Sequence, residues 1–314
     1  MPKLIQSLAR NAALEEAQAA ASSYYTSPPV SARMHENQGM FSRTVIVTLA
    51  DNTEIIVQLK DNEIDLSKVV LARSLLGPVV PDIHAAKSTE AYFAYVAPLI
   101  PGQIWSDCDL SMNEDVSIVT QVARLLRKCS LGIDSSGTVD HYILPRLQKI
   151  LEKEIFPNDD IRARIEKLCG LTDQLKKLPL TLCHIDVNAR NIVVKKDQDV
   201  EIVGLLDWEQ ASLMPFGMSA WCIRFLSVPI RRMKDYPTER TQPMAEAFWK
   251  ELAMDLSIES QRALIIAMQV GYVLISVYFE GSDPSPDTLS TFTERFDWFE
   301  GLFGPFCDLK NLVK

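Results

Sequence analysis

The chain has 314 residues, 47% hydrophobic and 23% charged, with Gly 12 and Pro 17 scattered without a period, which excludes a disordered, collagen-like or solenoid protein. Its formal net charge of −9 excludes a long, sequence-blind nucleic-acid surface, because neutralising phosphates needs an excess of lysine and arginine. Cys108, Cys129, Cys169, Cys183, Cys222 and Cys307 form no CxxC pair and no zinc-ligand spacing with the histidines. They read as reduced, mostly buried thiols of an intracellular, cytoplasmic protein.

In chain order, Met1 to Ser22 has no apolar core of signal-peptide length, and the spacing of Leu4, Ile5, Leu8, Ala12 and Ala19 predicts an amphipathic helix. Residues 1–35 are expected to be an N-terminal helical extension. Thr44 to Leu49 and Glu54 to Leu59 are β-branched runs separated by Ala50-Asp51-Asn52-Thr53, the pattern of a hairpin with a polar turn. Leu66 to Leu76 then takes a helical period that Gly77-Pro78 stops, and Tyr92 to Ile100 is extended up to Pro101-Gly102. Residues 36–101 thus form a small α+β lobe. Residues 102–314 are predicted to be mostly helical, at Val116 to Leu131, Leu144 to Ile155, Arg162 to Leu175, Met244 to Leu256, Ala263 to Phe279 and Leu289 to Leu302. A second hairpin, Asn191 to Val194 and Val200 to Leu206, interrupts them. Ala263 to Phe279 lies at the short edge of membrane-spanning length, but no basic cluster flanks it, so it is expected to be a buried core helix and no membrane partner is expected.

The chemistry sits around that second hairpin. Residues 183–191 read CHIDVNARN and residues 205–209 read LLDWE. Phosphoryl transfer needs one carboxylate to orient the attacking hydroxyl and take its proton, and an amide oxygen and a second carboxylate to hold magnesium on the nucleotide phosphates. Asp186, Asn191 and Asp207 are those groups in that order. Taken singly, a core His184, a turn-capping Asp186 and a strand-ending Asp207 are ordinary features; their order around a hairpin carries the reading.

On these motifs the sequence resembles the aminoglycoside and choline phosphotransferase-like enzymes, of fungal type, over roughly residues 36 to 305. The resemblance implies a bilobal protein-kinase-like fold, with ATP and Mg2+ as cofactors and a small-molecule acceptor as partner. It places the catalytic base on Asp186, a loop-supporting histidine on His184, and metal ligands on Asn191 and Asp207, with Trp208 and Glu209 packed behind the metal. Gly39 and Ser42, in GMFSR, resemble the loop that covers phosphates, although an ordinary turn reads the same way. Tyr95 to Gly102 resembles the interlobe connection that meets adenine, where the Pro98 carbonyl and the Ile100 amide are the candidates.

The pattern breaks at the strand lysine that holds the α and β phosphates, because Ile55-Ile56-Val57-Gln58-Leu59-Lys60 places Gln58 there. Lys60 has the same strand parity two residues later and can partly substitute. The Leu66 to Leu76 helix has no glutamate to steady such a lysine, and Glu63 precedes it. Two alternatives therefore stand beside a phosphotransferase acting on a small-molecule hydroxyl. One is a kinase-fold protein that lost phosphoryl transfer and binds a ligand or partner; the other is an enzyme of natural-product biosynthesis that catalyses a different reaction.

The remaining features have plain readings. His84 and His141 are expected to be solvated, and Arg231-Arg232-Met233-Lys234 to be a solvated basic loop or an anion contact. Residues 101–314 carry −7 of the −9 charge, which favours a cationic or amine-bearing acceptor, with Asp283, Asp287, Glu294, Asp297 and Glu300 as its acidic lip.

Overall fold

The computed structural model describes residues 5, 8–39, 41–87, 92–152, 159–231 and 234–278. The expected Leu289 to Leu302 helix, the acidic lip, Cys307 and the middle of the 231–234 basic run lie outside them. The chain divides into two compact units. The first comprises Met1–Gln103, Val193–Lys195 and Val203–Glu209; the second comprises Ile104–Ile192, Lys196–Ile202 and Gln210–Lys314. The sequence reading assigned Asp207 to the helical lobe, whereas in the structure Val203–Glu209 belongs to the first unit. Gly204 of this segment packs against side chains of the same unit: a Cβ there would come within 2.9 Å of Ile100 Cδ1 and 3.1 Å of Val193 Cβ.

In the first unit, helix α1 (Arg10–Tyr24) is followed by strands β1 (Pro29–Met34), β2 (Ser42–Leu49) and β3 (Glu54–Lys60), helix α2 (Leu66–Leu76), and strands β4 (His84–Ala86) and β5 (Phe93–Pro98). The strands form an antiparallel sheet in the order β1-β2-β3-β5-β4. Residues 1–35, expected to be helical, thus also supply an edge strand. Ala13, Ala17, Ala20 and Ala21 make a stripe on α1 that packs against Val45, Val47, Leu49, Ile55, Val57, Leu59 and Val96. Small side chains at helical spacing let the helix lie close to the sheet. The β2–β3 hairpin turns at Asn52, in the left-handed region at φ 65°, where Asp51 accepts the Thr53 amide at 3.0 Å. Helix α2 starts where Asp65 accepts the Ser67 amide at 3.0 Å and stops at Gly77, whose φ of 71° suits glycine. His84 is not simply solvated: its Nε2 lies 3.2 Å from Asp82 and its ring stacks on Tyr24.

Strand β6 (Gln103–Ile104) leads into the second unit. There α3 (Met112–Lys128), α4 (Leu144–Glu152), α5 (Asp159–Leu171), β7 (Leu180–Cys183), β8 (Ile192–Lys196), β9 (Val200–Leu205), β10 (Ser212–Pro215), α6 (Ile223–Ser227), α7 (Thr241–Leu252) and α8 (Ile258–Val277) follow. Strands β8 and β9 are neighbours in a sheet with β6, matching the second expected hairpin, and their residues are divided between the units. Strands β7 and β10, absent from the sequence reading, pair antiparallel. A capping box at Ser111 and Glu114 starts α3, and Arg124 Nε reaches Glu251 of α7 at 3.1 Å. Helix α8 is long and apolar enough to cross a membrane by length and composition, yet 67% of its most apolar window is buried in the protein. It meets the Phe216 to Met218 segment at Gly271, where a Cβ would stand 1.8 Å from the Met218 carbonyl oxygen. The Pro215-Phe216-Gly217-Met218 string therefore packs the core, with Phe216 and Met218 buried.

The five described cysteines are free. Burial pushes the thiols of Cys129 and Cys183 up to about 12, so neither is a nucleophile at neutral pH.

Candidate active site

In the second unit, all four residues of β7 are buried and anchor the loop that follows. His184, 1% exposed, accepts the Asp186 backbone N–H on Nδ1 at 3.1 Å, which places its ring proton on Nε2. Two amides grip the Asp186 carboxylate: Asn188 Nδ2 donates to Oδ1 at 2.9 Å, and Asn191 Nδ2 donates to Oδ2 at 3.2 Å and to the Asp186 carbonyl at 2.8 Å. Asn188 is itself fixed, its Oδ1 accepting the Arg190 amide at 2.9 Å and its carbonyl the Asn191 amide at 3.0 Å. Because both partners of Asn191 Nδ2 are acceptors, the side-chain orientation is decided and Oδ1 points away from Asp186. The loop thus offers one oriented carboxylate and one amide oxygen.

In the first unit, the alternation of β3 decides what its side chains do. Ile55, Val57 and Leu59 enter the core under α1, so Ile56, Gln58 and Lys60 lie on the opposite face. Gln58 stands opposite Thr44 and Tyr95, and Lys60 opposite Ser42. Lys60 and Ser42 are each 6% exposed, and Lys60 forms an ion pair with Glu209. Gly39 folds back toward Ser42, where a Cβ on it would lie 2.9 Å from the hydroxyl. Pro98 ends β5 opposite Ile55, and the Leu99 amide is tied to the Glu54 carbonyl at 3.3 Å.

Asp207 has a φ of 68°, a left-handed conformation that aspartate tolerates better than most residues and that marks local strain at a candidate metal ligand. Trp208 is 1% exposed and its Nε1 donates to the Leu205 carbonyl at 2.9 Å. Burial first, then the Asp207 carboxylate, raises the Glu209 carboxyl above the ordinary range, and the Lys60 ammonium opposes that rise. Asp207 and Glu209 are close enough to share a hydrogen bond.

Each unit therefore gathers its own set. His184, Asp186 and Asn191 converge in the second, joined by Asn188, which the sequence reading missed; its signal was an Asx residue two positions after Asp186, a spacing suited to an Asx turn. In the first, Gly39, Ser42 and Lys60 lie together, and Asp207 is linked to Lys60 through Glu209. Gln58, Pro98 and Ile100 hold strand and connection positions without a polar side-chain contact to that group. One role changes. Glu209 does not merely pack behind Asp207; it is the counter-charge of Lys60. Among the described residues, no three histidine, cysteine, aspartate or glutamate side chains gather as a self-sufficient metal cage.

Comparison with solved structures shows the fold. A type I macrolide 2'-phosphotransferase is similar at a TM-score of 0.59 and 13% identity, over 90% of this chain and 95% of that one. An ethanolamine kinase of Plasmodium vivax is similar at 0.56 and 12% identity, over 85% and 81%. A choline kinase of Streptococcus pneumoniae is similar at 0.50 and 15% identity, over 87% and 94%. The chain thus has an α+β, kinase-like fold, with a small antiparallel-sheet unit and a larger, mostly helical one. Comparison with curated protein sequences gives no match. The sequence profile of the phosphotransferase enzyme family matches residues 42–249, well over half of the chain, and the protein belongs to that family.

Proposed function

We propose that the protein is an ATP- and magnesium-dependent phosphotransferase that acts on a hydroxyl of a small molecule. The observation that carries this reading is the Asp186 carboxylate held by the Asn188 and Asn191 amides within the H-x-D-x-x-x-x-N loop. In the step, Asp186 accepts the hydrogen bond of the acceptor hydroxyl and takes its proton as the hydroxyl oxygen bonds to the γ-phosphorus and the bond from that phosphorus to the bridging oxygen breaks, with ADP leaving. Asn188 and Asn191 keep the carboxylate aimed, and His184 holds the turn that presents it. On the family motif alone we assign magnesium to Asn191 and Asp207, which belong to different units. They offer oxygen rather than sulfur or imidazole nitrogen, and magnesium takes one or two protein oxygens and completes its shell with phosphates and water. Bound Mg·ATP supplies the phosphoryl group and the neutralisation of its charge.

The acceptor class we assign carries a hydroxyl and a cationic nitrogen, in keeping with the −7 charge of residues 101–314. Two of the structural neighbours are named for such alcohols. The free thiols agree with a cytoplasmic location, and neither nucleic acid nor membrane enters the reading.

The test is thermal unfolding with and without ATP plus magnesium, in wild type and in Asp207→Asn. Asparagine tolerates φ 68° as aspartate does, so the variant removes charge without forcing the backbone. The expected result is a rise in Tm with Mg·ATP that Asp207→Asn largely abolishes, at nucleotide far above Kd worth about 2.7 kcal/mol at a hundredfold excess. Gln58 motivates the competing reading of a kinase fold without phosphoryl transfer, and that reading expects no nucleotide shift in either protein, with stabilisation by a small molecule alone.

A further inference from the structure

We infer that Trp105 and Asp115 brace the loop that carries Asp186: they are positioning residues that act on the base through the Ser106 amide, Ala189 and Asn188. The inference rests on the functional reading above and adds to it what holds the loop in place. A path of consecutive contacts within the second unit supports it. Asp115 stands in the first turn of α3, 7% exposed, where the positive end of the helix favours a carboxylate. Its Oδ1 accepts the Trp105 indole N–H at 2.9 Å, and its Oδ2 accepts Arg240 Nη1 at 2.5 Å. The same nitrogen donates to the Leu110 carbonyl at 2.9 Å, which ties the approach to α3 to the residue before α7. Trp105 opens a 3₁₀ turn, Trp105–Asp107, and the next residue, Ser106, donates its backbone N–H to the Ala189 carbonyl at 3.2 Å. Ala189 lies between Asn188, whose amide grips Asp186 Oδ1, and Arg190, whose N–H closes on Asn188 Oδ1.

Two physical arguments give this path a role beyond stability. A buried carboxylate paired with a cation gains little over an apolar pair of the same volume, so stability alone does not call for Asp115. What the carboxylate adds is direction: indole has a single donor, and fixing it sets the rotation of the ring and with it the 3₁₀ turn. Ser106 and Asp107 are exposed, so without that turn the Ser106 amide would bond to water as readily as to Ala189. Among the described residues, this is the one hydrogen bond that Asn188–Arg190 receives from outside residues 184–191. The aim of the Asp186 carboxylate is thus referred to a buried group on α3.

The experiment compares wild type with Trp105→Phe, with Trp105→Phe plus Asp115→Leu, with Asn188→Ala, with Trp105→Phe plus Asn188→Ala, and with Leu147→Ala, a fully buried α4 residue outside the path. Phenylalanine keeps the aromatic bulk and removes the one donor, and the added Asp115→Leu avoids leaving a buried carboxylate short of a partner. Each protein is followed by phosphate release from Mg·ATP with water as acceptor, by calorimetric titration with ATP, by thermal unfolding, and by NMR of the asparagine side-chain amides, those of Asn188 being the signals that Asn188→Ala removes. Both brace variants are expected to lose roughly 10- to 100-fold in kcat, with KM for ATP and ATP affinity unchanged, and to shift the Asn188 signals. Because the brace acts through Asn188, Trp105→Phe plus Asn188→Ala is expected to turn over no more slowly than Asn188→Ala alone. Leu147→Ala is expected to lower Tm and keep the wild-type kcat, which separates positioning from loss of stability. A folded brace variant with wild-type kcat and unmoved Asn188 signals, or losses in kcat that add in the combined variant, overturns the inference alone. If wild type binds Mg·ATP without releasing phosphate, the Asn188 signals decide, and signals that stay in place overturn the inference. A wild type that neither binds nor cleaves Mg·ATP overturns the phosphotransferase reading and the inference with it.

Discussion

Asp186→Asn is expected to lower turnover by roughly 10²- to 10⁴-fold, the range that a positioned general base supplies, while nucleotide affinity stays near wild type. Asparagine matches aspartate in shape but cannot take a proton from the acceptor. Its environment adds a second effect. Asn188 and Asn191 both donate to the Asp186 carboxylate, one to each oxygen, and an amide at position 186 offers an acceptor to only one of them. The other NH2 group then faces an NH2 group, at a cost of about 1–3 kcal/mol at most, because the site is half-buried. Stability and turnover therefore have to be read separately. The measurement is ATP hydrolysis in the absence of acceptor, followed by transfer to hydroxyl compounds once one is accepted, with thermal unfolding in parallel. Wild-type turnover in the variant would remove Asp186 from the base role.

The second large effect is structural. Gly271→Ala is expected to destabilise the protein by at least about 2 kcal/mol, or roughly 4–8 °C in Tm for a unit of this size. The added Cβ would stand 1.8 Å from the Met218 oxygen and 2.7 Å from its carbonyl carbon, and both are backbone atoms that cannot rotate aside. Alanine's helix propensity returns about 1 kcal/mol, too little to offset the clash. Gly170, in α5, is the contrasting case. Nothing lies within 4 Å of its would-be Cβ, so Gly170→Ala is expected to raise stability by about 0.5–1 kcal/mol. Scanning calorimetry of the two variants checks both signs at once.

Where local chemistry decides structure, the sequence was sufficient. Asp65 and Gly77-Pro78 bracket α2, and its observed span coincides with the expected Leu66 to Leu76. The H-x-D-x-x-x-x-N spacing placed His184, Asp186 and Asn191 in one loop, because that contact is made within a few residues. Strand β1 escaped because its pattern of half-exposed residues, Pro29-Val30-Ser31-Ala32-Arg33-Met34, shows no clean alternation; β2, its partner in the sheet, supplies the order. Strand β7 is four buried residues, too short for a period to declare itself. The Lys60–Glu209 pair joins positions 149 residues apart, and no local signal can announce such a contact.

The alanine stripe of α1 has a consequence for what counts as a portable piece of this protein. The stretch that matches the phosphotransferase profile begins at residue 42, yet the apolar face of the sheet it contains is covered by Ala13, Ala17, Ala20 and Ala21. A chain begun at Ser42 would carry every residue assigned to chemistry except Gly39, and would present Val45, Val47, Ile55, Val57 and Leu59 bare to water. Such a sheet, stripped also of its β1 edge, invites pairing with another copy of itself. The catalytic inventory and the smallest soluble chain are thus different lengths, and the leading segment belongs to the second.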